Sequence, residues 1–244
     1  MARFFVEPDC IGTDSVCITG DDVKHISKVL RMRENENITV CDKCGNDYDC
    51  TITRITADTV EAGINNKYPN RQEPPVYITI YQGLPKSDKM DYIVQKCIEL
   101  GVCRIVPVDT KRVISKPKDT DKKIARWQKI AEEAAKQCGR GIIPEVAPLM
   151  KFEDAVKEMS SVGCLSIMPY ECERESKLRT ALEKNKDIKK INILIGPEGG
   201  FDETEVSRAL EASITTVTLG PRILRTETAP LAACAAVMYE LGDW

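Results

Sequence analysis

Two short apolar runs, each stopped by Gly-Pro, constrain this chain more than any other feature. The first is Ile191-Asn192-Ile193-Leu194-Ile195, followed by Gly196-Pro197-Glu198-Gly199-Gly200-Phe201-Asp202. The second is Val217-Thr218-Leu219, followed by Gly220-Pro221-Arg222-Ile223-Leu224-Arg225-Thr226-Glu227-Thr228-Ala229. β-branched and Leu residues in a short run bounded by turn residues read as a strand buried on both faces, the habit of a parallel sheet. The glycines of the first loop let the backbone approach a ligand closely. Asp202 and Glu205 then have the spacing of an Asp-x-x-Glu capping box, so a helix starts at Asp202. Strand, glycine loop and helix N-terminus together hold small ligands at the C-terminal end of a parallel sheet. The spacing Gly-x-x-Gly-Gly is neither the dinucleotide fingerprint nor a P-loop.

The second loop carries apolar Ile223 and Leu224 between Arg222 and Arg225. From Thr228 a helix follows with Pro230 in its first turn, where a missing N–H costs little. It is rich in Ala and apolar almost all round, which predicts a buried, closely packed helix. Two neighbouring loops of this kind would make a pocket with backbone donors and an apolar slot, suited to an adenine-containing cofactor.

Upstream, residues 1–70 read as five short strands, 3–6, 16–19, 37–41, 48–55 and 59–64, separated by Asp, Gly and Asn turns. A helix over 21–31 interrupts them. Its periodicity puts Val23, Ile26, Val29 and Leu30 on one face and Lys24, Lys28 and Arg31 on the other. Five strands and one helix suggest a small β-barrel. Residues 70–75 turn polar and carry Pro74-Pro75, the signature of a linker. Beyond them strands (76–82, 104–108, 164–168) alternate with helices (88–100, 121–138, 152–159, 175–184), the pattern of an α/β domain with a parallel sheet. The expected organisation is therefore a barrel domain over 1–70 and an α/β domain over 76–244.

The chain has 244 residues, 42% hydrophobic and 30% charged, as in ordinary globular proteins. No run has the length of a membrane span, and the N-terminal residues lack a signal-peptide core, so a cytoplasmic protein is expected. Eleven cysteines are scattered, many in apolar runs (Cys97, Cys103, Cys164, Cys234), as buried thiols in a reducing compartment would be. Cys41-Asp42-Lys43-Cys44 has the CxxC spacing, but zinc wants a second close pair and His25 is the only histidine. A hairpin turn is the reading taken, with no metal site. The net charge is −3, yet residues 84–140 hold fourteen Lys/Arg against eight Asp/Glu, while residues 1–75 hold nine against thirteen. A phosphate footprint requires a local patch, not a basic whole.

The paired motifs Ile-Gly-Pro-Glu-Gly-Gly-Phe and Leu-Gly-Pro-Arg-Ile-Leu-Arg-Thr-Glu-Thr-Ala resemble the signature of the bacterial small-subunit rRNA (uracil-N3) methyltransferases of the SPOUT superfamily. The resemblance continues in Lys96-Cys97-Ile98-Glu99-Leu100-Gly101, in Ala134-Ala135-Lys136-Gln137-Cys138-Gly139-Arg140 and in His25-Ile26-Ser27-Lys28-Val29-Leu30-Arg31, so it covers nearly the whole chain in order. It implies a PUA-like RNA-binding barrel followed by a SPOUT domain with a deep trefoil knot. It further implies S-adenosylmethionine bound in the knot loops, a homodimer through the knotted domain, and 16S rRNA or the small ribosomal subunit as partner. The cofactor loops would be 167–170, 195–200 and 219–225. These supply Ile167, Met168, Pro169, Ile195, Gly196, Pro197, Glu198, Gly199, Gly200, Leu219, Gly220, Ile223, Leu224 and Arg225.

Methylating N3 of a uracil requires loss of the N3 proton and stabilisation of charge on the ring oxygens. Arg225 is the candidate for charge stabilisation, with Glu198 or Glu227 as base or as a group positioning the ring. RNA contacts are expected at Lys24, His25, Lys28, Arg31, Lys86, Arg112, Arg140 and Arg222. The competing structural readings are a loop-bonded carboxylate for Glu198, a helix-start residue for Glu227 and a solvated charged face for the lysines.

Overall fold

Apolar–polar alternation through the first part of the chain folds into one five-stranded sheet in the computed structural model, which describes residues 2–86, 88–114 and 119–244. Its strands are β1 (Ala2–Phe5), β2 (Ser15–Thr19), β3 (Asn37–Cys41), β4 (Asn46–Ile55) and β5 (Thr59–Pro69), in spatial order β1-β3-β4-β5-β2. Only the β1–β3 pair is parallel. The end strands β1 and β2 do not pair with each other among the described residues, so the sheet is a half-barrel around its core. Phe4, Ile18, Ile26, Ile38, Val40, Ile52 and Val60 fill that core. β4 and β5 run past their alternating segments because two register shifts, at Asp49/Cys50 and Ile52/Arg54, let pairing continue from Asn46 to Pro69. In the turn before β4, Asp42 accepts from the N–H groups of Cys44 (2.8 Å) and Asn46 (3.0 Å). Cys41 Sγ is buried between Arg3 and Asp47, so its thiol belongs to a polar core network. Burial pushes that thiol far up, with help from Asp47.

The helix expected over 21–31 is shorter and irregular. α1 (Asp21–Lys24) widens into i→i+5 bonding over His25–Val29, with Leu30 N–H donating to His25 O at 2.9 Å. One extra residue in the turn rotates every side chain beyond it. Val23 and Ile26 stay buried, but Val29 and Leu30 are 69% and 43% exposed, against the expectation from periodicity. Arg31 has left the helix with φ of 54°.

The chain divides into two compact units, the first comprising Met1–Glu73 with Ala135–Ile143 and the second Pro74–Ala134 with Pro144–Trp244. Residues 70–73 of the stretch expected to be a linker are fastened within the first unit. Asn70 Nδ2 donates to Asp47 (2.8 Å) and to Gly139 O (3.0 Å), and Glu73 accepts from Arg140 Nη2 (2.8 Å) and from the N–H groups of Gly141 and Ile142 (3.0 Å each). Arg140 is only 3% exposed. Its guanidinium is committed to Glu73, which corrects its assignment as a phosphate contact.

The second unit is built on a parallel sheet. Its strands are β6 (Tyr77–Gly83), β7 (Arg104–Asp109), β8 (Glu145–Val146), β9 (Met150–Lys151), β10 (Cys164–Pro169), β11 (Lys190–Ile195) and β12 (Thr215–Val217). The order is β12-β10-β11-β6-β7-β8, with β9 also on β7, and every pairing is parallel. The helices are α2 (Lys89–Glu99), α3 (Thr120–Cys138), α4 (Phe152–Met159), α5 (Leu178–Glu183), α6 (Glu203–Glu211) and α7 (Ala229–Leu241), the last four residues of α3 lying in the first unit. β11 is buried from Ile191 to Ile195, as its continuous apolar run requires. α5 starts later than residue 175 because the preceding loop is pinned: Glu173 accepts from Glu175 N–H, Ser176 N–H and Thr216 Oγ1. α7 buries Pro230, Ala233, Cys234, Val237 and Met238, a single face at i, i+3, i+4, i+7 and i+8. The opposite face carries Ala232 and Ala236, both only partly buried, and a 74% exposed Tyr239, so the expectation of a helix buried all round is corrected. All eleven cysteines are free thiols. No helix of the described residues is long and apolar enough to cross a membrane.

Candidate functional site

Three neighbouring strands, β11, β10 and β12, end at one side of the sheet, and the loops leaving them enclose a cavity of about 490 Å³. That volume lies within the range of small-molecule sites. After β11 the chain passes Gly196, Pro197, Glu198, Gly199 and Gly200 before Asp202 caps α6. Thr204 N–H donates to Asp202 Oδ1 (3.1 Å), and Asp202 N–H donates to Glu205 Oε2 (2.9 Å). This is the box that the Asp-x-x-Glu spacing predicts. The other oxygen of Glu205 accepts the Lys111 N–H at 2.8 Å, tying the loop after β7 to the same corner. The glycines are needed for reasons only partly visible in the sequence. A Cβ on Gly199 would lie 3.1 Å from Arg112 Cβ and 3.1 Å from Arg112 O, so the close approach is to the protein's own backbone. Gly220 sits at φ 113°, a conformation L side chains rarely adopt.

The two Gly-Pro loops are joined by a buried hydroxyl. Thr226 Oγ1 donates to Gly196 O at 2.7 Å and accepts from Gln82 Nε2 at 3.1 Å. At the edge of the cavity Lys89 Nζ lies 2.9 Å from Glu198 Oε1 and 3.0 Å from Glu227 Oε2. Burial pushes the Glu198 carboxyl up, but the Lys89 hydrogen bond and the N–H groups of Glu198 itself and Lys86 outweigh it, leaving the carboxyl below its ordinary value. Glu227 is likewise pushed up by burial and drawn down further by Lys89, its own N–H and the charge of Arg225. The hydrogen bonds to Glu198 and Glu227 raise the Lys89 ammonium in turn. Both carboxylates are therefore ionised at neutral pH.

Of the residues expected to hold a cofactor, Pro169, Ile195, Gly196, Pro197, Glu198, Gly199, Gly200, Leu219, Gly220, Ile223, Leu224 and Arg225 line the cavity. Ile167 and Met168 do not: they are fully buried within β10 and belong to the sheet core, which corrects their placement. Arg222 lines the cavity as well. Arg112 has its Nη1 on Gly199 O (3.3 Å) and its Nη2 3.7 Å from Asp202, so it braces the glycine loop. The Lys86 side chain is exposed. In the first unit Lys24, His25, Lys28 and Arg31 are all exposed, His25 edge-on to Phe4. Tyr170, inside the loop expected at 167–170, lines the cavity too, and the sequence reading missed Lys89, Glu171, Arg174, Phe201, Thr218, Thr226 and Ala229. Thr226 and Ala229 lie inside the second motif and Phe201 inside the first, so they were within reach of the motif argument. Lys89 carried no local signal, since its partners lie far along the chain.

The cavity suits a nucleoside cofactor with a cationic or polar tail. Ile195, Leu219 and Leu224 offer apolar walls, and Glu171 and Glu198 bring negative charge to the lining, the latter shared with Lys89.

Comparison with known proteins agrees with this layout. Residues 72–238 match the RNA methyltransferase domain family and residues 18–65 match the RNA methyltransferase PUA domain family. The chain is 34% identical to the ribosomal RNA small subunit methyltransferase E of Bacillus subtilis, across 98% of this chain and 97% of that one. It is 29% identical to the protein of the same name from Synechocystis, across 96% and 76%. The crystal structure of ribosomal RNA small subunit methyltransferase E from Neisseria gonorrhoeae, bound to S-adenosylmethionine, superposes with a TM-score of 0.90. It is 37% identical and covers 100% of this chain and 99% of that one. A Legionella pneumophila structure, also with the cofactor bound, gives 0.88 at 27% identity over 99% and 98%.

Proposed function

The chain belongs to the RNA methyltransferase family, and from that premise we propose that it methylates N3 of a uridine in 16S rRNA, with S-adenosylmethionine as donor. The observation that carries the reading is the cavity at the ends of β10, β11 and β12, with Arg225 on its wall and a Lys89–Glu198–Glu227 cluster at its edge. Bound there, the cofactor would supply an electrophilic methyl group on a sulfonium centre. The loops 195–200 and 219–225 would hold it. Arg225 would stabilise negative charge on the uracil oxygens, a glutamate would take the N3 proton, and Arg222 would meet a phosphate. The target base would be unpaired or turned out of its stack to enter the cavity. The exposed Lys24, His25, Lys28 and Arg31 of the PUA-like unit, with Lys86 and Arg112, would grip the RNA backbone.

The SPOUT reading carries a trefoil knot formed by the segment around β12 and α7, and a homodimer. The partly exposed Ala-rich face of α7, with exposed Tyr239, supports the dimer, because contiguous exposed apolar surface marks interaction sites. Light scattering at micromolar concentration should give twice the chain mass. The protein is read as cytoplasmic, where its RNA is found. The deciding experiment is mass mapping of rRNA methyl groups after incubation of small-subunit RNA or subunits with the protein and labelled cofactor. A methyl group on a uracil ring nitrogen is expected. A methyl group on a ribose 2′-oxygen would replace the uracil reading, and cofactor binding without any methyl transfer would point to an RNA-binding assembly role.

A further inference from the structure

Lys89 places one ammonium between two carboxylates from separate segments, Glu198 in the loop after β11 and Glu227 in the approach to α7. Lys89 and Glu198 line the cavity, whereas Glu227 is not part of that lining among the described residues. One positive and two negative charges leave the cluster with a single surplus negative charge. It therefore accepts one proton and becomes neutral without leaving any charge unpaired. Uracil N3 methylation needs that capacity. The N3–H bond breaks, the electron pair stays on N3 as the nucleophile, and the proton must find a base. A proton on Glu198 leaves Lys89 paired with Glu227, and so avoids the cost of stranding a half-buried ammonium.

Resting on the methyltransferase reading above, we propose that Glu198 accepts the N3 proton, and that Lys89, anchored from behind by Glu227, is the positioning residue that keeps Glu198 ionised and in place. This separates two glutamates that the sequence leaves equivalent: Glu198 is the base and Glu227 the reserve counter-ion. The other charged groups around the cavity are Glu171 and Arg174 from the loop after β10 and Arg222 and Arg225 from the loop after β12.

The arrangement predicts opposite pH shifts from two adjacent substitutions. Lys89→Met leaves two carboxylates facing each other, so the first proton binds more tightly and the acid limb of the rate profile moves up, by about 1–3 pH units. Glu227→Gln gives the ammonium wholly to Glu198, so the limb moves down. Glu198→Gln removes the acceptor and should flatten the limb while lowering the rate. Single-turnover methyl transfer by the full chain on small-subunit rRNA, followed from acidic pH to neutrality, reads all three. Calorimetry of S-adenosylmethionine with each variant separates lost binding from lost chemistry. Glutamate carboxyl carbons, followed by NMR in the protein without RNA or cofactor, supply a readout independent of activity. A Glu198 carboxyl that titrates unchanged in Lys89→Met overturns the proposal, as do limbs that move the same way in Lys89→Met and Glu227→Gln. A wild-type protein that transfers no methyl group removes the methyltransferase reading itself, a result distinct from either.

Discussion

Arg225 sits on the cavity wall in the loop after β12, exposed, with its charge close enough to draw the Glu227 carboxyl down. A donor that matters only as the uracil becomes anionic affects rate more than binding. Arg225→Ala should therefore lose on the order of 10²–10³ in turnover, by analogy with single oxyanion donors. Lysine should restore only part, because a point charge does not reproduce a planar two-donor fork. Single-turnover rates at saturating cofactor and RNA, with cofactor affinity measured separately, test this; an affinity collapse at unchanged rate would make Arg225 a binding residue. At this scale the sequence was informative wherever the signal was local. Asp202 and Glu205 are three residues apart, and their mutual hydrogen bonds follow from that spacing. Ile167 and Met168 were misplaced because both lie buried inside β10, whereas the cavity is reached only at the strand's last residue, Pro169, and in the loop beyond it. Lys89 was invisible because nothing near it in sequence announces partners two loops away.

At the scale of elements, the departures come from backbone bonding that periodicity does not encode. The i→i+5 widening at His25–Val29 moves Val29 out of the core while leaving Ile26 inside it. Ile26→Ala should cost about 2–5 kcal/mol by emptying a packed site. Val29→Ser should stay within about 0.5 kcal/mol, as surface changes do. Urea unfolding of both variants checks the pair, and equal losses would restore the regular helix. A second departure is the late start of α5. Three donors converge on Glu173, the N–H groups of Ser176 and Glu175 and the Thr216 hydroxyl, and hold its carboxyl near about 2 against an ordinary 4.5. A carboxyl depressed in the folded state adds stability that is present above its unfolded value and lost as pH falls toward its folded one. Thermal stability should therefore fall between about pH 4.5 and 2 more steeply in the wild type than in Glu173→Gln. The variant should be the less stable of the two at neutral pH. Parallel curves would show that Glu173 does not couple the loop to β12.

For the whole molecule, the question is how a chain of net charge −3 holds RNA. Residues 1–75 carry nine basic residues against thirteen acidic, so the PUA-like unit as a whole repels phosphate, and any grip must come from a local face. Lys24, Lys28 and Arg31 supply one. All three are exposed, and nearby Asp22 faces Lys136 at 3.2 Å, which reduces its pull on them. The regular i, i+4, i+7 stripe expected for them does not form, since Arg31 has left the helix, yet a phosphate backbone asks only for proximity of charge. Lys116 and Lys118, part of the basic excess of 84–140, lie outside the described residues. Binding to small-subunit RNA should weaken steeply with salt, by about 0.7–0.9 log units per log unit of salt for each phosphate neutralised. Truncating Lys28 and Arg31 together should flatten that slope by about 1.4–1.8, with cofactor affinity unchanged. Filter binding across a salt series measures it, with circular dichroism confirming that the double variant folds. An unchanged slope would mean that this face is only solvated, and would move the phosphate contacts to the basic residues of 84–140, among them the exposed Lys86.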